Sequence, residues 1–343
     1  MVALVIGIML FTSAGFTLGS TSVEALFYVR FGVQYLPGMY LLLGITSFIT
    51  SLGMTALLGR LRHELFYIYV PVGIAIVTVA AWAMLFSGWS IIYPVLWLGK
   101  EIINALIGLV VWGLASEVCN TRQSKRLFPL FNAGRILGSV VGGLGTGLLV
   151  GVLGTHNLLL IWAGLLLLAF FITRVLIKAT IHSEPVKQQF RQKRQGRLAQ
   201  EMQQGWRFVR GSALMRWISL AAILLPVMYY SIALPFAKGA TAAFPDVNRL
   251  AGFLGLFNGV TTGAAFLVSF LAANRLYARL GIMTAILALP VLYLLGFGGL
   301  LISSAFVVVI AFRSVQTVWL AGMTDSAWQA MFNAAPARRS RSW

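Results

Sequence analysis

The stretch WLGKEIINALIGLVVWG, residues 97–113, sets two adjacent charges, Lys100 and Glu101, in a run that is otherwise apolar. A bilayer's hydrocarbon core is about 30 Å thick and takes roughly 20 mostly apolar residues of helix to cross. Stretches of that kind recur at 2–18, 36–58, 65–86, 91–117, 127–153, 158–177, 217–237, 250–273, 282–301 and 304–327. The composition agrees, with 59% hydrophobic and 10% charged residues and a mean hydropathy of +0.88, against about 25% charged in soluble domains. A spanning backbone must satisfy its own hydrogen bonds, and the period-2 alternation of a barrel strand is absent. The expected fold class is an all-α polytopic membrane protein with ten spans, six before a long connection and four after it.

The cations set the expected orientation, because short cytoplasmic loops retain Lys and Arg. Alternate loops hold 20 of the 26 cations, ten of them between Arg174 and Arg216, whereas the opposite loops hold Arg30, Lys238 and Arg249. The N-terminus is therefore expected on the cytoplasmic side of a cell (inner) membrane. The first segment lacks a basic leader and reads as an uncleaved span rather than a signal peptide. The net charge of +18 follows mostly from topology. Membrane lipid is the expected partner and nucleic acid is not, since no folded basic domain stands apart to carry it. Three regions result: a six-helix bundle at 1–177, a basic cytoplasmic linker at 178–216, and a four-helix bundle at 217–343. Within the linker, Leu198, Met202, Trp206 and Val209 recur at helical spacing among Arg and Gln. That pattern fits an amphipathic helix, either at the inner membrane surface or in solvent.

Chemistry-bearing clusters are not visible. Cys119 is the lone cysteine, and His63, His156 and His182 sit in loops without metal-ligand spacing. No nucleophile with its base, paired catalytic carboxylates or phosphate loop is present, so neither an enzyme nor a cofactor is expected. GRLRHEL after the second span and NRLYARLG after the eighth are both short basic turns. Internal repetition of this kind is how many secondary transporters are built.

Six helices, a long cytoplasmic loop and these repeated turns resemble the major facilitator superfamily. WGLASEVCNTRQSKRLFPLFNAGRILGSVVGG (112–143) and VEALFYVRFG (23–32) are similar to segments of the ATP:ADP exchanger family of plastids and intracellular bacteria. That family has basic and acidic residues just before its counterpart of Glu24, where this chain reads GSTSV. The superfamily has twelve spans, so the last two are expected to be missing and PARRSRSW to mark a truncated end.

Wound at 100° per residue, the helix of 97–113 puts Trp97, Lys100, Glu101, Asn104 and Gly108 on one face and aliphatic residues on the other. A charge at the centre of a spanning helix costs roughly 2.5–3.5 kcal/mol, so such residues line a cavity or pair. Lys100 and Glu101 either neutralise one another for assembly or serve a substrate. Aligning the outer ends of spans four and ten sets Arg313 opposite Lys100, with Gln316 and Thr317 beside it. The resemblance implies that both spans line a central cavity. Two cations at mid-depth favour a small anionic substrate, for which Arg offers a planar fork and Lys a compact charge. Glu101 is then a carrier for a coupling proton or the partner of Lys100 in the empty site. The expected binding set is Lys100, Glu101, Asn104, Arg313, Gln316 and Thr317.

In the fifth span, Gly134, Gly138 and Gly142 recur every four residues and make a face that a neighbour can approach closely. GSVVGG (138–143) resembles the superfamily's antiporter motif, with Ser139 where Pro is usual. Arg135 in the same helix is a candidate gating residue, pairing with Glu117 or reaching inward. The function expected is secondary transport of an organic or phosphorylated anion, nucleotide-type substrates included, with antiport one form of it. The alternative is a non-transporting membrane module that anchors or regulates a cytoplasmic domain.

Overall fold

The computed structural model describes residues 1–58, 63–119, 121–181, 210–211, 213–273 and 282–324. The linker pattern at 198–209, His182 and the tail at 336–343 lie outside the described residues, as does the side chain of Glu117. The described chain is helical throughout: α1 Val2–Leu26, α2 Leu36–Leu58, α3 His63–Met84, α4 Ile92–Val118, α5 Thr121–Leu153, α6 Leu158–Ile181, α7 Ala213–Ser231, α8 Ala233–Ala243, α9 Val247–Val268, α10 Ile282–Ile302 and α11 Phe306–Trp319.

Eight helical stretches among the described residues are long and apolar enough to cross a membrane, two fewer than the sequence suggests. One reason lies at the first turn. Helical hydrogen bonding continues from α1 through a π-helical turn, Phe27–Gly32, and a 3-10 turn, Val33–Tyr35, into α2. Val2–Met54 is thus a single helical stretch of 53 residues, about 80 Å of contour at 1.5 Å per residue. That is more than twice the hydrocarbon thickness. Its backbone departs from helix at Gly32, where φ is +119°, a conformation that residues with a Cβ rarely adopt. The ninth expected span is α10, Ile282–Ile302, whose 21 residues are about the length needed to cross the hydrocarbon core.

α1 and α5 sit at the centre of the molecule. α1 packs on α4, α5 and α6, and α5 packs on α1 and α9. The close approach depends on missing side chains. A Cβ at Gly138 would lie 2.2 Å from the Leu10 carbonyl oxygen, and one at Gly142 would lie 2.4 Å from that of Ala14. Gly134 faces Ile6 in the same way, while Gly143, on another side of α5, faces the backbone of Gly255 and Gly259 in α9. One apolar cluster lies within the first six helices, around Met9, Phe131 and Trp162. A second joins both halves of the chain through Phe27, Trp97, Phe236, Leu250 and Phe312.

Candidate functional site

α1, α4, α5 and α9 enclose a cavity of about 350 Å³. α1 contributes Thr12, Ser13, Thr17, Ser20 and Glu24; α4 contributes Lys100, Glu101, Asn104 and Trp112; α5 contributes Arg135 and Ser139; α9 contributes Asn258 and Thr262. From Thr12 to Glu24 the wall runs 12 residues, about 18 Å of helix. Several hydroxyls along it are tied to their own helix, Thr12 Oγ1 donating to the Ile8 carbonyl at 2.7 Å and Thr17 Oγ1 to that of Ser13 at 2.9 Å.

Lys100 lies at one end, only 4% exposed. Its ammonium donates to Glu24 Oε1 at 2.6 Å, lies 3.1 Å from Glu101 Oε1 and stands 5.3 Å from the centre of the Trp97 ring. Burying an ammonium costs several kcal/mol unless ion pairing and hydrogen bonds offset it. Two carboxylates do so here. With all three groups ionised the cluster carries one net negative charge, and the carboxylates are its more exposed members. The sequence pattern does not single out Glu24, because the polar run after residue 18 reads as the end of the first span. A signal was available: at 100° per residue, Ser13, Thr17, Ser20 and Glu24 share one face of α1.

Arg135 lines the cavity near its opposite end, donating from Nε to Asn132 Oδ1 at 3.0 Å. Its neighbour Gly134 packs beside Ile6, about 27 Å along α1 from Glu24. Lys100, Glu101, Asn104 and Arg135 therefore share one cavity.

Arg313, Gln316 and Thr317 do not line it. They form a second cluster, in which Arg313 Nη1 donates to the Tyr229 carbonyl at 3.0 Å and to Gln316 Oε1 at 2.8 Å. The guanidinium lies over the Tyr229 ring at 4.3 Å, and Gln316 Nε2 donates to Tyr293 Oη at 2.5 Å. Thr317 Oγ1 donates back to the Arg313 carbonyl at 2.8 Å. A row of rings connects the clusters: Trp97 to Tyr40 at 5.6 Å, Tyr40 to Tyr230 at 4.4 Å and Tyr230 to Tyr229 at 5.2 Å.

Among the described residues no three His, Cys, Asp or Glu side chains gather as a metal site would require. In the short turns, burial and the nearby Arg30 cation hold the His156 imidazole below its ordinary pKa, and burial pushes the Cys119 thiol up.

A polar, charge-bearing cavity between the helices of a polytopic bundle is the form a membrane carrier takes. The chain belongs to the major facilitator superfamily, whose family model matches residues 113–342. Secondary-active transport follows at the level of the family, whose members are carriers and not enzymes. A solved structure of a bacterial homologue of the iron transporter ferroportin, in an inward-facing state, superposes with a TM-score of 0.67 at 14% identity, over 98% of this chain and 85% of that one. The nucleoside transporter NupG gives a TM-score of 0.59 at 16% identity, over 97% of this chain and 84% of that one. These likenesses are in fold. No curated protein matches the chain by sequence.

Proposed function

We propose that the chain carries a small organic or phosphorylated anion across a cell (inner) membrane by alternating access, with its N-terminus on the cytoplasmic side. The placement of Lys100 carries this reading. A buried ammonium shared by two carboxylates, both facing a cavity, is a cation whose partners are exchangeable. An entering anion takes the place of one carboxylate at Lys100, and the released Glu24 or Glu101 takes up a proton. Anion and proton then cross together, or the anion is exchanged for another.

The loop charges support the orientation, and the lengths of Val2–Met54 and of α10 support counting the first as two spans and the second as one, which makes a six-plus-four arrangement. A cavity of about 350 Å³ is near the small end of the roughly 300–1,000 Å³ range for small-molecule sites. It favours a compact metabolite, and the likeness of 112–143 to the ATP:ADP exchangers keeps nucleotide-type anions in the test set. The two solved relatives are named for an iron transporter and a nucleoside transporter, so the shared fold leaves the solute open.

The test is uptake of carboxylated and phosphorylated metabolites into proteoliposomes, with and without an inward proton gradient. Uptake of at least one anion, accelerated by the gradient or by a counter-anion inside, is expected. Uptake of cations or neutral solutes alone would overturn the reading.

A further inference from the structure

The region 217–237, which reads as one span in sequence, is two helices in the structure. α7 ends at Ser231 and α8 begins at Ala233, and Pro235 accounts for the break. Having no N–H, it cannot donate to the Ser231 carbonyl one turn back, and its ring crowds that carbonyl. The last carbonyls of α7 consequently need donors from elsewhere. That of Met228 accepts from Ser231 Oγ at 2.6 Å. That of Tyr229 accepts from Arg313 Nη1 at 3.0 Å and Gln316 Nε2 at 3.4 Å, both on α11. A cation at a helix C-terminus is also favoured by the helix dipole.

The next residue faces the other half of the molecule. The Tyr230 ring packs on Tyr40 of α2, and Tyr40 packs on Trp97, beside which the Lys100 ammonium sits.

We infer that Arg313 is a positioning residue: with Gln316 it clamps the break in the seventh span, so that Tyr230 closes against Tyr40 the approach to Lys100 from the side away from Arg135. Without the clamp, the end of α7 is free to bend at Ile232 and the tyrosine pair parts. The inference builds on the alternating-access reading, but its test requires no substrate.

A single reporter thiol, Asn104→Cys in a Cys119→Ser background, is placed in the cavity about one turn from Lys100. A membrane-impermeant maleimide is added to intact cells and, separately, to inverted vesicles, which distinguishes the far side from the Arg135 side. Labelling from the Arg135 side in every variant identifies folded protein. From the far side, Arg313→Ala, Gln316→Ala and Tyr230→Ala are expected to label about tenfold faster or more, as a closed-to-open population shift requires. Tyr230→Phe, which keeps the ring contact, stays as slow as the parent, and Arg313→Lys, which keeps a donor to the carbonyl, falls between. If Arg313→Ala does not fold, Gln316→Ala carries the test, since it removes one donor and no charge. Far-side labelling unchanged in Gln316→Ala and Arg313→Ala would overturn the clamp. If uptake were lost in those variants while labelling stayed slow, Arg313 would be a substrate ligand instead. Failure of every anion in uptake, with labelling changed as expected, would overturn the solute and leave the clamp standing.

Discussion

Lys100 and Arg313 lie at matching distances into the fourth and tenth expected spans, yet their surroundings differ in kind. Lys100 is held by two carboxylates that line a cavity. Arg313 is held by a carbonyl, a side-chain amide and a ring, all uncharged and outside that cavity. An ammonium between carboxylates can change partners when an anion or a proton arrives. A guanidinium bonded to backbone holds a helix end in place. On the proposed reading, two positions that the alignment of spans sets opposite each other serve a binding task and a mechanical one.

The largest effect is expected at the first cluster. Lys100→Met leaves two half-buried carboxylates without their cation, and removing one partner of a fully buried pair costs about 3–5 kcal/mol, which is the upper bound here. Thermal unfolding in detergent will show a strongly destabilised protein, and adding Glu24→Gln with Glu101→Gln will recover most of the loss. No recovery would mean that the three residues are not one unit.

Gly138→Ala comes next. Its Cβ would meet the Leu10 carbonyl at 2.2 Å, and overpacking of this kind costs roughly 1–3 kcal/mol. The same measurement checks it, with Gly145→Ala as the control, since no atom lies within 4 Å of a Cβ there. Equal losses at both positions would show that α1 and α5 are not in close contact.

A double-mutant cycle measures the coupling between the two clusters. If the two clusters are separate, the stability losses of Lys100→Met and Arg313→Met add within about 0.5 kcal/mol. A coupling well above that would place the two cations in a single network.

The smallest effect concerns pH. His156 has its pKa held below the ordinary value in the folded state, so the unfolded chain binds the proton first as pH falls past about 6.5. Stability is therefore lost on acidification through that region, and His156→Gln will flatten this part of the profile. An unchanged slope would remove His156 from the account.

These contrasts were legible in the sequence to unequal degrees. The spans could be read from apolar runs, and the polar face carrying Lys100, Glu101 and Asn104 from helical winding. The extent of α1 could not. The stretch after residue 18, GSTSVE, reads as a loop, but Thr17, Ser20 and Thr21 return their hydroxyls to carbonyls of the preceding turn. This makes polar residues tolerable in a helix packed against α4, α5 and α6 and brings Glu24 to Lys100. The role of Arg313 was hidden for another reason. Aligning the repeats fixed its position, whereas its partners depend on a helix break whose only trace in the sequence is Pro235.

The central claim is that the ion-paired cluster binds the transported anion rather than merely holding α1 to α4. It is tested most directly by anion uptake into proteoliposomes bearing the neutralised variant Lys100→Met, Glu24→Gln, Glu101→Gln, compared with the parent at equal folded amounts. The variant is expected to fold and not to transport. Uptake equal to that of the parent would contradict the claim and reduce the cluster to a structural ion pair.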